Sequence, residues 1–502
     1  MCSARSDTPL GHGIERTRSL RVAVIGAGMA GILAVIRLRE SGIADVTCFE
    51  KADDLGGTWR ENTYPGIACD VPSHVYSYSF APNPDFSRMF SPGEEIQDYL
   101  RQVAADHGVL DVVRFGEEVV TMSYADRAWS VVTTSGDQGR FDVVIAATGV
   151  LHHPRLPDID GLDTFEGEIF HSARWDHDVE LAGRRVGVIG TGSTAVQITG
   201  AVIDDVGRLS LFQRTPQWIM PLDNQPIGAE QRTAFREDPD RLRELREFLE
   251  RSFAENFADA VVDSESAALA KIEATCRAHL EAQVSDPELR RRLTPDYRAA
   301  CKRLVVSGDF YDAIQRPNAV LVTESIDRIE PGGIRTVDGT LHELDVIVLA
   351  TGFHVDRFVR PVEVVGPEGH SLEEAWASGP TAYLSVAIPG FPNLFLLNGP
   401  NGPVGNFSLI QVAELQMGYI LQLLELLRNG TAAAIAARAD AAAAFEAERV
   451  DAAQRTVWVT GCNSWYLDAH GVPAAWPWKF QRFRDVMTAP DLSAFDLVRG
   501  TT

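Results

Sequence analysis

Two glycine-rich turns constrain this chain more than any other feature. The first, Gly26-Ala27-Gly28-Met29-Ala30-Gly31, follows the apolar run Leu20 to Ile25. The second, Gly190-Thr191-Gly192-Ser193-Thr194-Ala195, follows Val186 to Ile189. Each reads as strand, tight turn and helix start. In such a unit the first glycine permits the turn and the second lets backbone approach a pyrophosphate. The third small residue lets helix and strand pack closely. Free N–H groups at the helix start then face the phosphates. Two units on one chain predict an α/β protein built from two doubly wound, Rossmann-like dinucleotide-binding modules.

The residue type that follows each turn separates the two ligands. Glu50 closes the next apolar run after the first turn; a carboxylate there accepts hydrogen bonds from a free ribose and repels a 2′-phosphate. At the equivalent place after the second turn stands Arg214, followed by Thr215. A guanidinium there can clamp a 2′-phosphate with charged, bidentate hydrogen bonds. One ligand is therefore expected to be FAD or NAD, and the other NADP(H).

At 502 residues the chain exceeds one compact core, so two or three domains are expected. A net charge of −24 excludes the basic footprint of a nucleic-acid binder. No apolar run is long enough for a membrane-spanning helix. The first nineteen residues are polar, carry Arg5, Arg16 and Arg18, and lack the apolar stretch of a signal peptide; a flexible tail is expected over 1–19. The six cysteines, at positions 2, 48, 69, 276, 301 and 462, form no CxxC pair. Neither a redox-active dithiol nor a zinc site is implied, and reduced thiols in the cytoplasm are the expectation.

Two further segments echo one another: Asp142-Val143-Val144-Ile145-Ala146-Ala147-Thr148-Gly149 and Asp345-Val346-Ile347-Val348-Leu349-Ala350-Thr351-Gly352. Both are continuous apolar runs, the pattern of strands buried on two faces, and both end in Ala-Thr-Gly. They predict a duplicated architecture in which each turn returns the chain to the other module. Residues 20–150 and 353–502 are then the two parts of the first module, and 151–225 and 301–352 those of the second. Between them, residues 226–300 read as a helical insertion, with Leu242, Leu245, Phe248 and Leu249 at helical spacing. Later, Asn393 to Pro400 reads as a buried strand entering a loop, and Val412 to Leu427 as an amphipathic helix stopped by Asn429-Gly430. Ala432 to Ala447 reads as helix, and Trp458 to Phe483 as aromatic loop.

Between the two turns lies Phe165-Glu166-Gly167-Glu168-Ile169-Phe170-His171-Ser172-Ala173-Arg174-Trp175-Asp176. It resembles FxGxxxHxxxW followed by Pro or Asp, the signature of type I Baeyer–Villiger monooxygenases. With both glycine turns and both Ala-Thr-Gly endings, the resemblance spans residues 20 to 485. The flavin-containing monooxygenases, a related branch, carry Phe or Tyr where this chain has Trp175. Gly56-Gly57-Thr58-Trp59 is similar to the family's flavin-binding stretch, and Tyr64 to Asp70 to the loop whose aspartate lies near the flavin. Lys302-Arg303 resembles a pair in which the lysine helps hold the 2′-phosphate and the arginine is catalytic. Arg214-Thr215 matches the residues that grip NADP.

The resemblance implies that NADPH reduces bound FAD, which takes up O₂ as a C4a-peroxyflavin. Attack of its deprotonated form on a ketone carbonyl then gives an ester or lactone. Arg303 does not lose its proton at ordinary pH, so it can stabilise the negative oxygen that develops; Asp70 would orient it. His171 is expected to serve structure and domain coupling rather than proton transfer. Trp175 is a candidate core filler at the domain junction. Trp465-Tyr466 and Trp476-Pro477-Trp478 are candidates either to line the substrate pocket or to pack the C-terminal region; packing is the reading for most of them, and none is read as catalytic. Read alone, Lys302-Arg303 is equally a solvated basic pair, and Asp70 a turn former before Val71-Pro72.

A second reading keeps the cofactors but oxygenates sulfides or amines through a protonated hydroperoxide. A third is an NADPH reductase, against which stand the missing CxxC and the FxGxxxHxxxW match. The expected small molecules are a ketone, or else a sulfide or amine, together with O₂. No protein partner and no metal is implied.

Overall fold

The computed structural model describes residues 18–405 and 407–499. The tail expected over 1–19 lies outside the described residues except for Arg18 and Ser19. Arg18 donates its backbone N–H to the Arg428 carbonyl at 2.8 Å and pairs with Asp142.

The first glycine turn follows β1 (Arg21–Ile25). Parallel partners flank it: β2 (Asp45–Glu50) and then β3 (Val113–Phe115) on one side, and β4 (Val143–Ala146) on the other, with Leu394–Leu396 beyond. The Val- and Ile-rich runs of β1 and β4 are buried on both faces, as a helix-covered parallel sheet requires. Helix α1 (Met29–Glu40) covers one face, and the long helix Leu409–Arg428 packs against α1.

A second parallel sheet repeats this plan. Its strands are β5 (Glu168–His171), β6 (Arg185–Ile189), β7 (Arg208–Phe212), β8 (Ala319–Val322) and β9 (Val346–Leu349), ordered β8-β7-β6-β9-β5. In both sheets the glycine-turn strand lies between the Ala-Thr-Gly strand and the strand leading to Glu50 or Arg214. The duplicated architecture read from the two echoes is thus present. Beyond each Ala-Thr-Gly the chain crosses over, and the two crossings lie side by side. The Arg155 N–H donates to Gly352 O and the His354 N–H to His153 O, both at 2.9 Å.

Residues 229–293 of the expected insertion are largely helical: Ala229–Glu237, Pro239–Phe253, Ala267–Gln283 and Pro287–Leu293. The apolar stripe departs from expectation at one position. Leu242 is buried, with Leu245 and Leu249 partly so, but Phe248 is 58 % exposed. The inner face is completed instead by Arg246, which donates to the Ser77 carbonyl at 2.8 Å and pairs with Glu250 at 2.9 Å.

Two expectations near the C-terminus are corrected. Ala434–Ala437 is a strand, not helix; it pairs antiparallel with Phe495–Val498, and helix begins only at Ala439. Alanine's helix preference is a fraction of a kcal/mol per residue. Here it yields to pairing, and Asn393 fastens the strand to the first sheet from both its backbone and its side chain. The aromatic stretch 458–483 is mainly irregular, but the helix Phe480–Met487 begins inside it.

The thiol expectation is also corrected. Cys301 and Cys462 form a disulfide across 161 residues, while Cys48, Cys69 and Cys276 are free and buried. CxxC spacing finds local pairs, and this pair is assembled by tertiary structure. Among the described residues no helix is long and apolar enough to cross a membrane.

Candidate active site

Both glycine turns are shaped as their sequences require. Gly26 and Gly190 have φ of +99° and +127°, and a Cβ on either would collide with a carbonyl of the Ala-Thr-Gly turn: Ala147 O at 2.7 Å and Ala350 O at 2.3 Å. A Cβ on Gly31 would stand 1.8 Å from Gly26 O, so helix and turn meet only because this residue is small. Gly28 and Gly192 begin α1 and α2 (Ser193–Val202) with no side chain capping the first N–H groups. A Cβ on Gly192 would meet nothing within 4 Å. Uncapped donors, over open space at Gly192 and beside the bare backbone of Gly57 at Gly28, are the cradle that a pyrophosphate fills.

Glu50, 7 % exposed, points its carboxylate into the first turn, accepting from Ala27 N at 2.7 Å and Ala52 N at 2.9 Å. Gly57 approaches Gly28, its Cβ position only 3.0 Å from the Gly28 Cα. Thr58 opens a one-turn helix, Thr58–Glu61, whose Trp59 donates to the Tyr76 hydroxyl at 3.2 Å. This side therefore presents a carboxylate and bare backbone, which fit the ribose and pyrophosphate of FAD.

In the second module Thr191 donates to the Thr215 carbonyl at 2.7 Å, folding Arg214-Thr215 over the glycine turn. Arg214 is exposed. Lys302 reaches the same corner, its Nζ lying 4.8 Å from the centre of the Tyr297 ring. Burial and then the Arg214 charge lower the Lys302 pKa, with Asp296 opposing. Two cations that repel each other beside an uncapped helix start suit the 2′-phosphate and pyrophosphate of NADP.

Asp70 and Arg303, 233 positions apart, meet between the modules. Arg303 Nε and Nη2 both donate to Asp70 Oδ2, at 3.0 and 2.5 Å, while Nη1 donates to the Gly405 carbonyl. Both side chains are about a quarter exposed, at 26 % and 25 %. Burial opposes the guanidinium charge, but Asp70 and Tyr466 outweigh it, so Arg303 stays charged above its ordinary range. The loop bearing Asp70 is docked on the second module: Tyr64 donates to Gln197 on α2 at 2.9 Å, and Gln197 donates to the Ala68 carbonyl at 3.0 Å.

His171 is 5 % exposed and closes β5. Its Nδ1 accepts from Ala173 N at 3.1 Å, leaving Nε2–H to donate to Gly352 O at 3.1 Å. Burial, reinforced by Arg174 and opposed by that bond, lowers its pKa. A neutral ring tied to the Ala-Thr-Gly turn is a structural clasp. Trp175 packs on Phe170, ring centres 5.1 Å apart, at the edge of the second core. Two members of the Arg303 environment escape the sequence reading, Gly405 and Tyr466; the only sequence signal for either is the aromatic pair Trp465-Tyr466.

Comparison with known proteins agrees with this geometry. Residues 19–230 match the flavin-binding monooxygenase-like family. An uncharacterized monooxygenase of Mycobacterium tuberculosis is 47 % identical over 480 residues, covering 95 % of this chain and 96 % of that protein. A Baeyer–Villiger monooxygenase of Streptomyces coelicolor is 42 % identical, covering 96 % and 93 %. Among solved structures, steroid monooxygenase bound to NADP aligns at a TM-score of 0.86 and 31 % identity, covering 96 % of this chain and all of that one. The closed structure of cyclohexanone monooxygenase aligns at 0.85 and 32 %, with the same coverage.

Proposed function

This chain belongs to the flavin-binding monooxygenase-like family, among its Baeyer–Villiger monooxygenases, and from that premise we propose that Arg303 is the catalytic residue of oxygen insertion beside a ketone carbonyl. The enzyme contains FAD and depends on NADPH. FAD, once reduced, supplies the activation of O₂.

The chain's own residues do the rest. Gly26, Gly28, Gly31, Glu50, Gly57, Thr58 and Trp59 hold the flavin nucleotide. Gly190, Gly192, Ser193, Arg214, Thr215 and Lys302 hold NADPH. The observation that carries the catalytic assignment is a permanently charged guanidinium fixed between the modules by Asp70. Such a donor stabilises a negative oxygen as it develops at the carbonyl, without reorganising. Asp70 takes two of its five N–H groups and so sets the plane in which the others point. The paired crossings at 153–155 and 352–354 support a division of the chain at those points, with residues 226–300 inserted in the NADP-binding part. We place the enzyme in the cytoplasm; thiol trapping in intact cells, showing whether Cys301 and Cys462 are joined there, tests that placement.

The test is turnover of ketones, sulfides and amines with NADPH and ¹⁸O₂, read by mass spectrometry. Esters or lactones carrying one label, lost in Arg303→Ala while calorimetric NADP⁺ binding persists, are expected. Labelled sulfoxides or N-oxides with no ester from any ketone would move the chain to heteroatom oxygenation and remove the role of Arg303.

A further inference from the structure

The Arg303 guanidinium has a neighbour that the family resemblance does not supply. Tyr466 is 4 % exposed, and its hydroxyl lies beside the Gly405 backbone that accepts from the guanidinium. The same hydroxyl rests on the backbone of Gly405: a Cβ there would stand 2.1 Å from it. Gly405 is the residue whose carbonyl accepts from Arg303 Nη1. Asp70, Gly405 and Tyr466 thus surround one guanidinium from three segments distant in sequence.

The segment that brings Tyr466 is built to hold still. Its ring lies between Trp458 and Trp465, with centres at 5.2 and 4.1 Å. The Tyr466 carbonyl accepts from Ala474 N at 2.7 Å. Cys462, four residues earlier, is bonded to Cys301, two residues before Arg303. The disulfide therefore ties the segment carrying the guanidinium to the loop carrying the phenol.

We propose that Tyr466 is a positioning residue for Arg303, accepting one of the guanidinium N–H groups that Asp70 and Gly405 leave free. Both N–H groups given to Asp70 go to a single oxygen, Oδ2. Two bonds to one acceptor let the guanidinium pivot about it; the single bond to the Gly405 carbonyl opposes that pivot, and the Tyr466 hydroxyl, packed on the same Gly405 backbone, adds a further acceptor of fixed direction. The phenol adds direction and not charge: burial raises its pKa, outweighing the opposing pull of Arg303, so it stays protonated. A purely structural Tyr466 would only fill space between Trp458 and Trp465.

The inference rests on the proposed reaction, and Tyr466→Phe separates the two. That variant keeps the ring contacts with Trp458 and Trp465 and removes one buried oxygen. The expected ester rate falls about 10-fold, the scale of one lost hydrogen bond to a charged group. Hydrogen peroxide takes up the lost share of NADPH, and the KM for NADPH stays within about twofold because the phosphate contacts are untouched. A crystal structure of the variant should show the Arg303 guanidinium rotated about Asp70. Gly405→Ala, which pushes the hydroxyl aside from the other direction, is the second variant and is expected to uncouple in the same way. Wild-type ester yield per NADPH in both variants, with Arg303 unmoved, overturns the proposal. A wild-type enzyme that makes no ester from any ketone overturns the underlying reaction instead, and the position of Arg303 in the variant crystal then decides the fate of Tyr466.

Discussion

At the scale of single residues, the site proposed for NADPH in the second module would select its nucleotide by charge. Arg214 is exposed, Lys302 is half-buried and close enough to feel it, and Thr215 is held against the glycine turn. A 2′-phosphate would replace this repulsion with two charge-assisted contacts. Arg214→Ala is therefore expected to raise the KM for NADPH by about 10- to 100-fold, the range of one charged hydrogen bond. The KM for NADH, which has no such phosphate, should stay within about twofold. Steady-state kinetics with both nucleotides checks this, and parallel losses for NADPH and NADH would remove Arg214 from the phosphate site. Arg214 was legible from its distance behind Gly190, since the βαβ unit fixes that spacing. Tyr466 was not, because nothing local ties it to Arg303.

At the scale of elements, the two glycines of the second turn do different work, and substitution should separate them. Gly190 has φ of +127°, and its Cβ would lie 2.3 Å from Ala350 O. Gly190→Ala is expected to destabilise by about 2 kcal/mol or more, from a positive φ and a backbone clash together. Gly192 has an ordinary extended backbone, and its Cβ would project into open space. Gly192→Ala should melt within about 2 °C of wild type, since it changes no folded contact. Its NADP⁺ binding should nevertheless weaken measurably by calorimetry. Equal melting of the two variants would contradict this assignment. Elements whose cause is local were legible: the turns, the buried runs before Ala-Thr-Gly, and the helix to Arg428. The strand Ala434–Ala437 was not, for its partner Phe495–Val498 lies far along the chain and its own residues favour helix.

At the scale of the whole molecule, distant segments are fixed to one another covalently and by burial. The Cys301–Cys462 bond closes a loop across 161 residues, and chain entropy alone assigns such a closure about 5 kcal/mol as an upper value. Reduction should lower the melting temperature, and the Cys301→Ser/Cys462→Ser protein should be insensitive to reductant; reductant-independent melting of the wild type would show that the thiols are not joined.

Acid tests the packing differently. His74 is 2 % exposed where the first module meets the insertion, its ring against Phe86 and Phe235. Burial lowers its pKa from 6.5 to about 4, with the Asn83 backbone opposing and Arg246 adding to the shift. Above pH 6.5 the ring is neutral whether the chain is folded or not. Below it, the unfolded chain takes up a proton that the folded chain refuses until about pH 4. Stability contributed at neutral pH is therefore lost as pH falls through this window, reaching about 3 kcal/mol at its lower end. His152, half-buried beside Lys51, is lowered to about 3 by burial and then by that charge, and acts in the same direction. Carboxylates titrate near the lower end, so the decisive quantity is a difference: the urea midpoint of wild type minus that of His74→Phe, followed from pH 7.5 to 4.5. The difference should shrink steadily below pH 6.5 as the wild type alone loses stability to this ring. A difference constant with pH would mean that His74 accepts its proton in the folded state, and that the insertion leaves it open to water.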